Sequence, residues 1–185
     1  MDSIPLSTLS IILIACLVLS AYFSGSETGL LSLNKYRLRF LAEQGNKGAK
    51  KAEMLLAKPD KLLSFILIFN NLVNISASAI ATVIGMRLYG DAGVAIATGA
   101  LTFVMLIFSE IFPKTVAAMH PEKVGLTSSH LLTPLLKLFA PLVWVMNVFT
   151  KILMRLVGLK PDLKKQVISR EELRSIVSEA GEATP

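Results

Sequence analysis

The chain alternates long apolar runs with short polar breaks. Residues 4–23 carry no charged side chain, residues 62–86 carry none over 25 positions, and residues 92–109 carry none until Glu110. A membrane crossing needs roughly 20 predominantly apolar residues. Backbone groups in lipid must pair internally, so each run predicts a helix. The predicted crossings are about 4–24, 61–88 and 92–113. The fourth apolar stretch, 131–157, differs because it contains Pro134, Lys137, Pro141, Asn147, Lys151 and Arg155. At roughly 100° per residue, Lys137, Trp144, Lys151 and Arg155 fall within about 40° of one another. A basic stripe with an aromatic in it predicts a helix lying in the membrane interface. A bent spanning helix is the alternative. The fold class expected is therefore an all-α integral membrane protein with three crossings and an interfacial juxtamembrane helix.

The polar breaks set the topology. Residues 28–43 and 47–58 both have helical composition, with Gly45 and Asn46 between them and Pro59 after them. They predict a short helical hairpin between the first two crossings. That connection carries Lys35, Arg37, Arg39, Lys47, Lys50, Lys51, Lys58 and Lys61 against Glu43, Glu53 and Asp60, whereas "RLYGDAG" between the second and third has only Arg87 and Asp91. Positive connections stay cytoplasmic. The N-terminus is thus expected outside, and the basic stretch 160–174 inside. The tail "SREELRSIVSEAGEATP" opens with a capping signature, Ser169 followed three residues later by Glu172. Residues 1–158 are read as a transmembrane domain and 159–185 as the start of an acidic helical linker.

Composition agrees with the pattern. The 185 residues are 53% hydrophobic and 17% charged, against about 25% charged in soluble domains. The net charge of +6 is not a nucleic-acid signal, because the basic residues flank apolar runs, where they set topology and meet anionic lipid headgroups. The lone cysteine, Cys16, lies within the first run and offers neither disulfide nor zinc spacing. Residues 1–5 contain Asp2 and no Lys or Arg, and no A-x-A-like pattern follows, so the first run is expected to be a crossing and not a signal peptide.

Polar residues inside the runs are where chemistry is expected, since ionisable groups at membrane depth are costly. On the first run Ser20, Ser24 and Glu27 recur at +4 and +3 and share a helix face. Ser26 points elsewhere in a regular helix. Gly25 and Gly29 lower the barrier to a break or π-type turn and are expected to act as a hinge. The second run carries "FNNLVNISASA", in which Asn70, Asn74 and Ser78 lie on one face and Asn71 and Ser76 off it. Helix–helix hydrogen bonding is the bland reading of any one asparagine, but three within five positions point to a hydrophilic site. The third run ends "FSEIFPKT". Pro113 removes a backbone donor near Glu110 and is the third hinge candidate. Lys114 is placed for an i,i+4 ion pair with Glu110. Hydroxyl, amide, carbonyl and carboxylate are hard oxygen donors that suit magnesium or calcium.

At these residues the chain resembles the CNNM/CorB/CorC family of magnesium transport proteins, through "LSAYFSGSETGLLSLNKYRL", "KPDKLLSFILIFNNLVNISASA", "MRLYGDAGVAIATG" and "SEIFPKTVAA". The resemblance implies three crossings, a helical hairpin after the first, a juxtamembrane helix that girdles the bundle, and a homodimer. It implies tandem CBS domains beyond the linker, which bind ATP with magnesium. It also implies a metal site at Ser20, Ser24, Asn70, Asn74 and Glu110. Glu27 is often asparagine in animal members and is expected beside the site, as are Ser26, Asn71, Ser78 and Lys114.

The function expected is magnesium transport across a bacterial inner membrane, as efflux coupled to sodium. The alternative is a magnesium sensor that regulates other carriers. An intramembrane hydrolase is disfavoured, because His120 and His130 lie past the third run and do not suggest a triad with Ser24 or Ser26.

Overall fold

In a computed structural model of the chain, residues 4–158 are described. They form helices α1 (Leu6–Leu31), α2 (Lys35–Glu43), α3 (Lys47–Leu56), α4 (Pro59–Tyr89), α5 (Ala92–Val104), a π-helical segment (Met105–Ile111), α6 (Phe112–Met119), α7 (Pro121–Leu138) and α8 (Ala140–Leu156). Among the described residues three spans are long and apolar enough to cross a membrane: Leu6–Leu31, Pro59–Tyr89 and Ala92–Met119. The fold is that of an all-α integral membrane protein. The described residues up to Asn147 form one compact unit, and a second begins at Val148. The acidic linker expected over 159–185 lies outside the described residues.

The first crossing outruns its apolar stretch. Apolar counting stops at Phe23, yet α1 continues to Leu31. Its polar continuation is buried: Ser24, Gly25, Ser26 and Gly29 all face protein. The helix is unbroken at Gly25 and Gly29, so the hinge expected there is absent. The chain instead turns at Ser32–Asn34, where the Asn34 side chain accepts from the Tyr36 and Arg37 amides and starts α2. The helix expected over 28–43 is therefore shorter, because its first residues belong to α1. Asn46 caps α3 in the same way, accepting from the Ala49 amide. Such caps satisfy donors that have no intrahelical partner.

α4 starts at Pro59 with Asp60 in its first turn and ends with Arg87 in its last, an order that complements the helix dipole. Its 31 residues extend about 46 Å and so outreach a hydrocarbon core of about 30 Å. It runs antiparallel to α1. Phe23 packs on Phe65 and Phe69, and Phe69 meets Phe139 with ring centroids 4.6 Å apart. Leu30, Leu62, Ile66 and Leu132 complete this core without exposure above 1%. α1 is the central helix, packed on α4, α7, α6 and the π segment. Two close crossings need glycine. A Cβ on Gly29 would stand 3.0 Å from the Gly125 amide, and one on Gly85 or Gly93 would overlap the other's backbone.

The single juxtamembrane helix expected over 131–157 is two helices. α7 starts at Pro121, and the chain turns by 77° between α7 and α8. Pro141 lacks the N–H that would continue α7, and its ring would meet the carbonyl four residues back. Lys137 consequently lies across a corner from Trp144, so the basic stripe does not continue from α7 into α8. Pro134 is accommodated inside α7.

Candidate functional site

The polar residues of the first and second crossings meet at the α1–α4 seam. The Ser20 hydroxyl donates to Asn70 Oδ1 at 3.0 Å. Because the helices are antiparallel, Ser24 and Asn74 lie on opposite sides of this bond, each one turn away. Each Cα–Cβ bond leans toward the N-terminus of its own helix. Ser24 and Asn74 therefore both lean toward the Ser20–Asn70 pair.

Neither of these flanking groups is satisfied. Ser24 is fully buried, and Ser24 Oγ and Asn74 Oδ1 have no hydrogen-bond partner among the described residues. A buried polar atom left unpaired costs about 1–3 kcal/mol. Two such oxygens, one turn to either side of a hydroxyl–amide pair, leave the seam with oxygen donors that have spare capacity. The donors fit a hard cation. Among the described residues no three of His, Cys, Asp and Glu come together, so the donor set rests on neutral oxygens with few carboxylates.

The third element is the π segment, which carries Ser109 and Glu110. Its cause is local. Pro113 cannot donate to the Ser109 carbonyl four residues back, and the ladder widens to i→i−5 bonds, as in the Phe112 amide donating to the Ile107 carbonyl. Pro113 thus produces a change of winding within one continuous span. Ser109 is fully buried, and its hydroxyl donates to the Leu17 carbonyl of α1 at 3.2 Å. This bond anchors the π segment one turn of α1 from Ser20. Glu110 is half-buried and Lys114 exposed, with no ion pair between them. The wider winding takes Lys114 off the face an α-helical count assigns it.

The remaining expected residues are placed as follows. Glu27 is half-buried on α1. Ser26 turns back to its own helix, donating to the Tyr22 carbonyl at 2.6 Å. Asn71 and Ser78 are on the exposed side of α4 and are not brought to the seam. Gly25 faces Pro113, with 3.4 Å between a Cβ built on it and Pro113 Cβ. The buried Ser109 was missed in the sequence reading. Its only signal was its place four residues before Pro113, where the carbonyl loses its donor.

These features define a polytopic membrane protein with a buried oxygen-donor seam beside a π-wound carboxylate segment. Residues 11–184 match the family model described as the cyclin M transmembrane N-terminal domain, CNNM, and the chain belongs to that family. A UPF0053 protein of Haemophilus influenzae is 86% identical over 185 residues, covering 100% of this chain and 44% of the relative. The UPF0053 inner membrane protein YfjD of Escherichia coli is 61% identical over 163 residues, 88% of this chain and 38% of the relative. The polyamine export protein of Escherichia coli is 27% identical over 195 aligned positions, 93% of this chain and 41% of the relative. The chain spans less than half the length of these relatives.

Proposed function

We propose that this domain carries magnesium across a bacterial inner membrane, with the α1–α4 seam as the ion's binding place. The observation that carries the reading is the pair of unpartnered buried oxygens, Ser24 Oγ and Asn74 Oδ1, flanking the Ser20–Asn70 bond. Magnesium passing along the seam exchanges water for the oxygens of the Ser20–Asn70 pair and, in turn, for those of Ser24 and Asn74 one turn to either side, and Glu110 supplies the negative charge. Neutral donors bind the ion weakly enough to release it, which transport requires and a structural metal site does not. The direction proposed is efflux, with sodium as the counter-ion. The working unit is a homodimer with N-termini outside and C-termini in the cytoplasm. ATP acts through CBS domains of the longer protein. Anionic headgroups meet the basic α2–α3 connection and α8.

The test is magnesium flux in proteoliposomes containing the full-length protein. Asn74→Ala and Glu110→Ala are each expected to cut flux tenfold or more, about the 1.5–3 kcal/mol of one charge-assisted contact. Wild-type flux in both variants, with folding intact, removes the site. Saturable magnesium binding without flux in the wild type establishes the sensor reading instead. Putrescine flux without magnesium flux assigns the protein the substrate class named for its polyamine-exporting relative.

A further inference from the structure

A second feature lies on a different face of α1. A groove of about 690 Å³ runs between α1, α7 and the last part of the third crossing. Its α1 wall is the stripe at positions 14, 17, 18, 21, 22 and 25, centred about 120° round the helix from Ser20 and Ser24. The opposite walls are Phe108, Phe112 and Val124. Phe108 and Phe112 are more than 60% exposed in the protein alone, so the groove opens toward the hydrocarbon of the membrane. From residue 14 to residue 26 it follows α1 for about 18 Å, close to one leaflet's half of a core about 30 Å thick.

The mouth of the groove is not apolar. Lys123 lines it, four residues beyond the end of the third crossing. Lys123 is exposed and has no ion pair among the described residues. The carboxylate next to it in sequence, Glu122, is taken by Arg37 at 3.0 Å. Thr127, one turn along α7, also lines the groove, and its hydroxyl makes no hydrogen bond within the described residues. A slot one leaflet long, closed at the interface by an uncompensated ammonium and a free hydroxyl, has the polarity of an anionic amphiphile.

We propose that this groove holds one acyl chain of an anionic phospholipid, with its phosphate at Lys123 and Thr127. The lipid then braces the face of α1 away from the oxygen-donor seam and fills the space between α1 and the π segment. The site is independent of what ion the seam binds.

The experiment is native mass spectrometry of the full-length protein in detergent micelles doped equally with dioleoyl-phosphatidylglycerol and dioleoyl-phosphatidylcholine. The wild type is expected to retain one phosphatidylglycerol per chain in preference to phosphatidylcholine. Lys123→Gln, at an exposed position that leaves packing intact, is expected to lower that retention about fivefold, the worth of one lysine at an anionic surface. Ala21→Phe, which fills the slot, is expected to abolish it. Equal retention of both lipids by the wild type overturns the proposal, as does an unchanged preference in Lys123→Gln. Cross-linking between copies through Ala21→Cys in a protein freed of Cys16 and of any further cysteine overturns it too, by giving the groove to a second copy of the chain.

Discussion

Ser20 and Ser24 are one turn apart on the same helix, yet removing their hydroxyls is expected to have opposite consequences. Ser20 Oγ is paired with Asn70 Oδ1, so Ser20→Ala strands the asparagine oxygen and is expected to cost about 1–3 kcal/mol. Ser24 Oγ has no partner, so Ser24→Ala removes a buried liability and is expected to stabilise the magnesium-free protein by about 1 kcal/mol. A ligand that binds the folded state raises its stability in proportion to its affinity. The proposed site therefore predicts that Ser24→Ala also shrinks the gain in Tm on adding magnesium chloride. Thermal unfolding of both variants with and without the salt measures this. If Ser24→Ala lowers Tm in the absence of magnesium and keeps the full gain with it, Ser24 is a packing residue and no ligand.

Among the elements, the π segment sets where Glu110 stands. Its winding follows from the missing Pro113 donor, so Pro113→Ala is expected to let Met105–Ile111 tighten toward α-helical bonding. Tightening from i→i−5 to i→i−4 bonding shifts the ladder by one residue and turns Glu110 by up to about 100° relative to the helix before it. The expected outcome is a folded protein with magnesium flux reduced at least tenfold; undiminished flux means the position of Glu110 does not depend on this winding. The α1–α7 crossing is tested differently. Gly29→Val puts methyl groups where a Cβ already stands 3.0 Å from the Gly125 amide. A loss of about 1–3 kcal/mol is expected from such overpacking, read from chemical or thermal unfolding. These elements also mark what the sequence could and could not disclose. Uncharged runs located all three crossings, and the asparagine and serine spacings identified faces that do meet at Ser20 and Asn70. The end of α1 was hidden because serines and glycines read as a polar exit, while in the fold they are buried against α4, α6 and α7. The π register was hidden because a proline reads as a hinge, whereas a ladder inside a packed bundle can absorb it by widening. The corner between α7 and α8 was hidden because one wheel fits Lys137 and Trp144 equally well whether or not the chain turns between them.

At the scale of the whole molecule the open quantity is the number of crossings, and charge and geometry give it a definite expectation. Among the described residues three helices are individually long and apolar enough to cross, and a fourth crossing there requires the bent pair α7 and α8 to act as one. A pair turned through 77° advances across the bilayer far less than its summed length. Lys151 and Arg155 near the end of α8 also resist burial in hydrocarbon, where each costs roughly 2.5–3.5 kcal/mol. By the same charge rule the basic connection at α2 and α3 is expected in the cytoplasm, and three crossings would then put residue 157 on that side as well. Single cysteines replacing the exposed Gln44, Asp91 and Val157 in a full-length protein freed of Cys16 and of any further cysteine report this directly. A membrane-impermeant maleimide added to intact cells is expected to label Asp91→Cys alone, and to reach Gln44→Cys and Val157→Cys only after the membrane is opened. Labelling of Val157→Cys from outside establishes α7 and α8 as a fourth crossing. Labelling of Gln44→Cys from outside inverts the protein, and with it the side from which the proposed ion would reach Ser24.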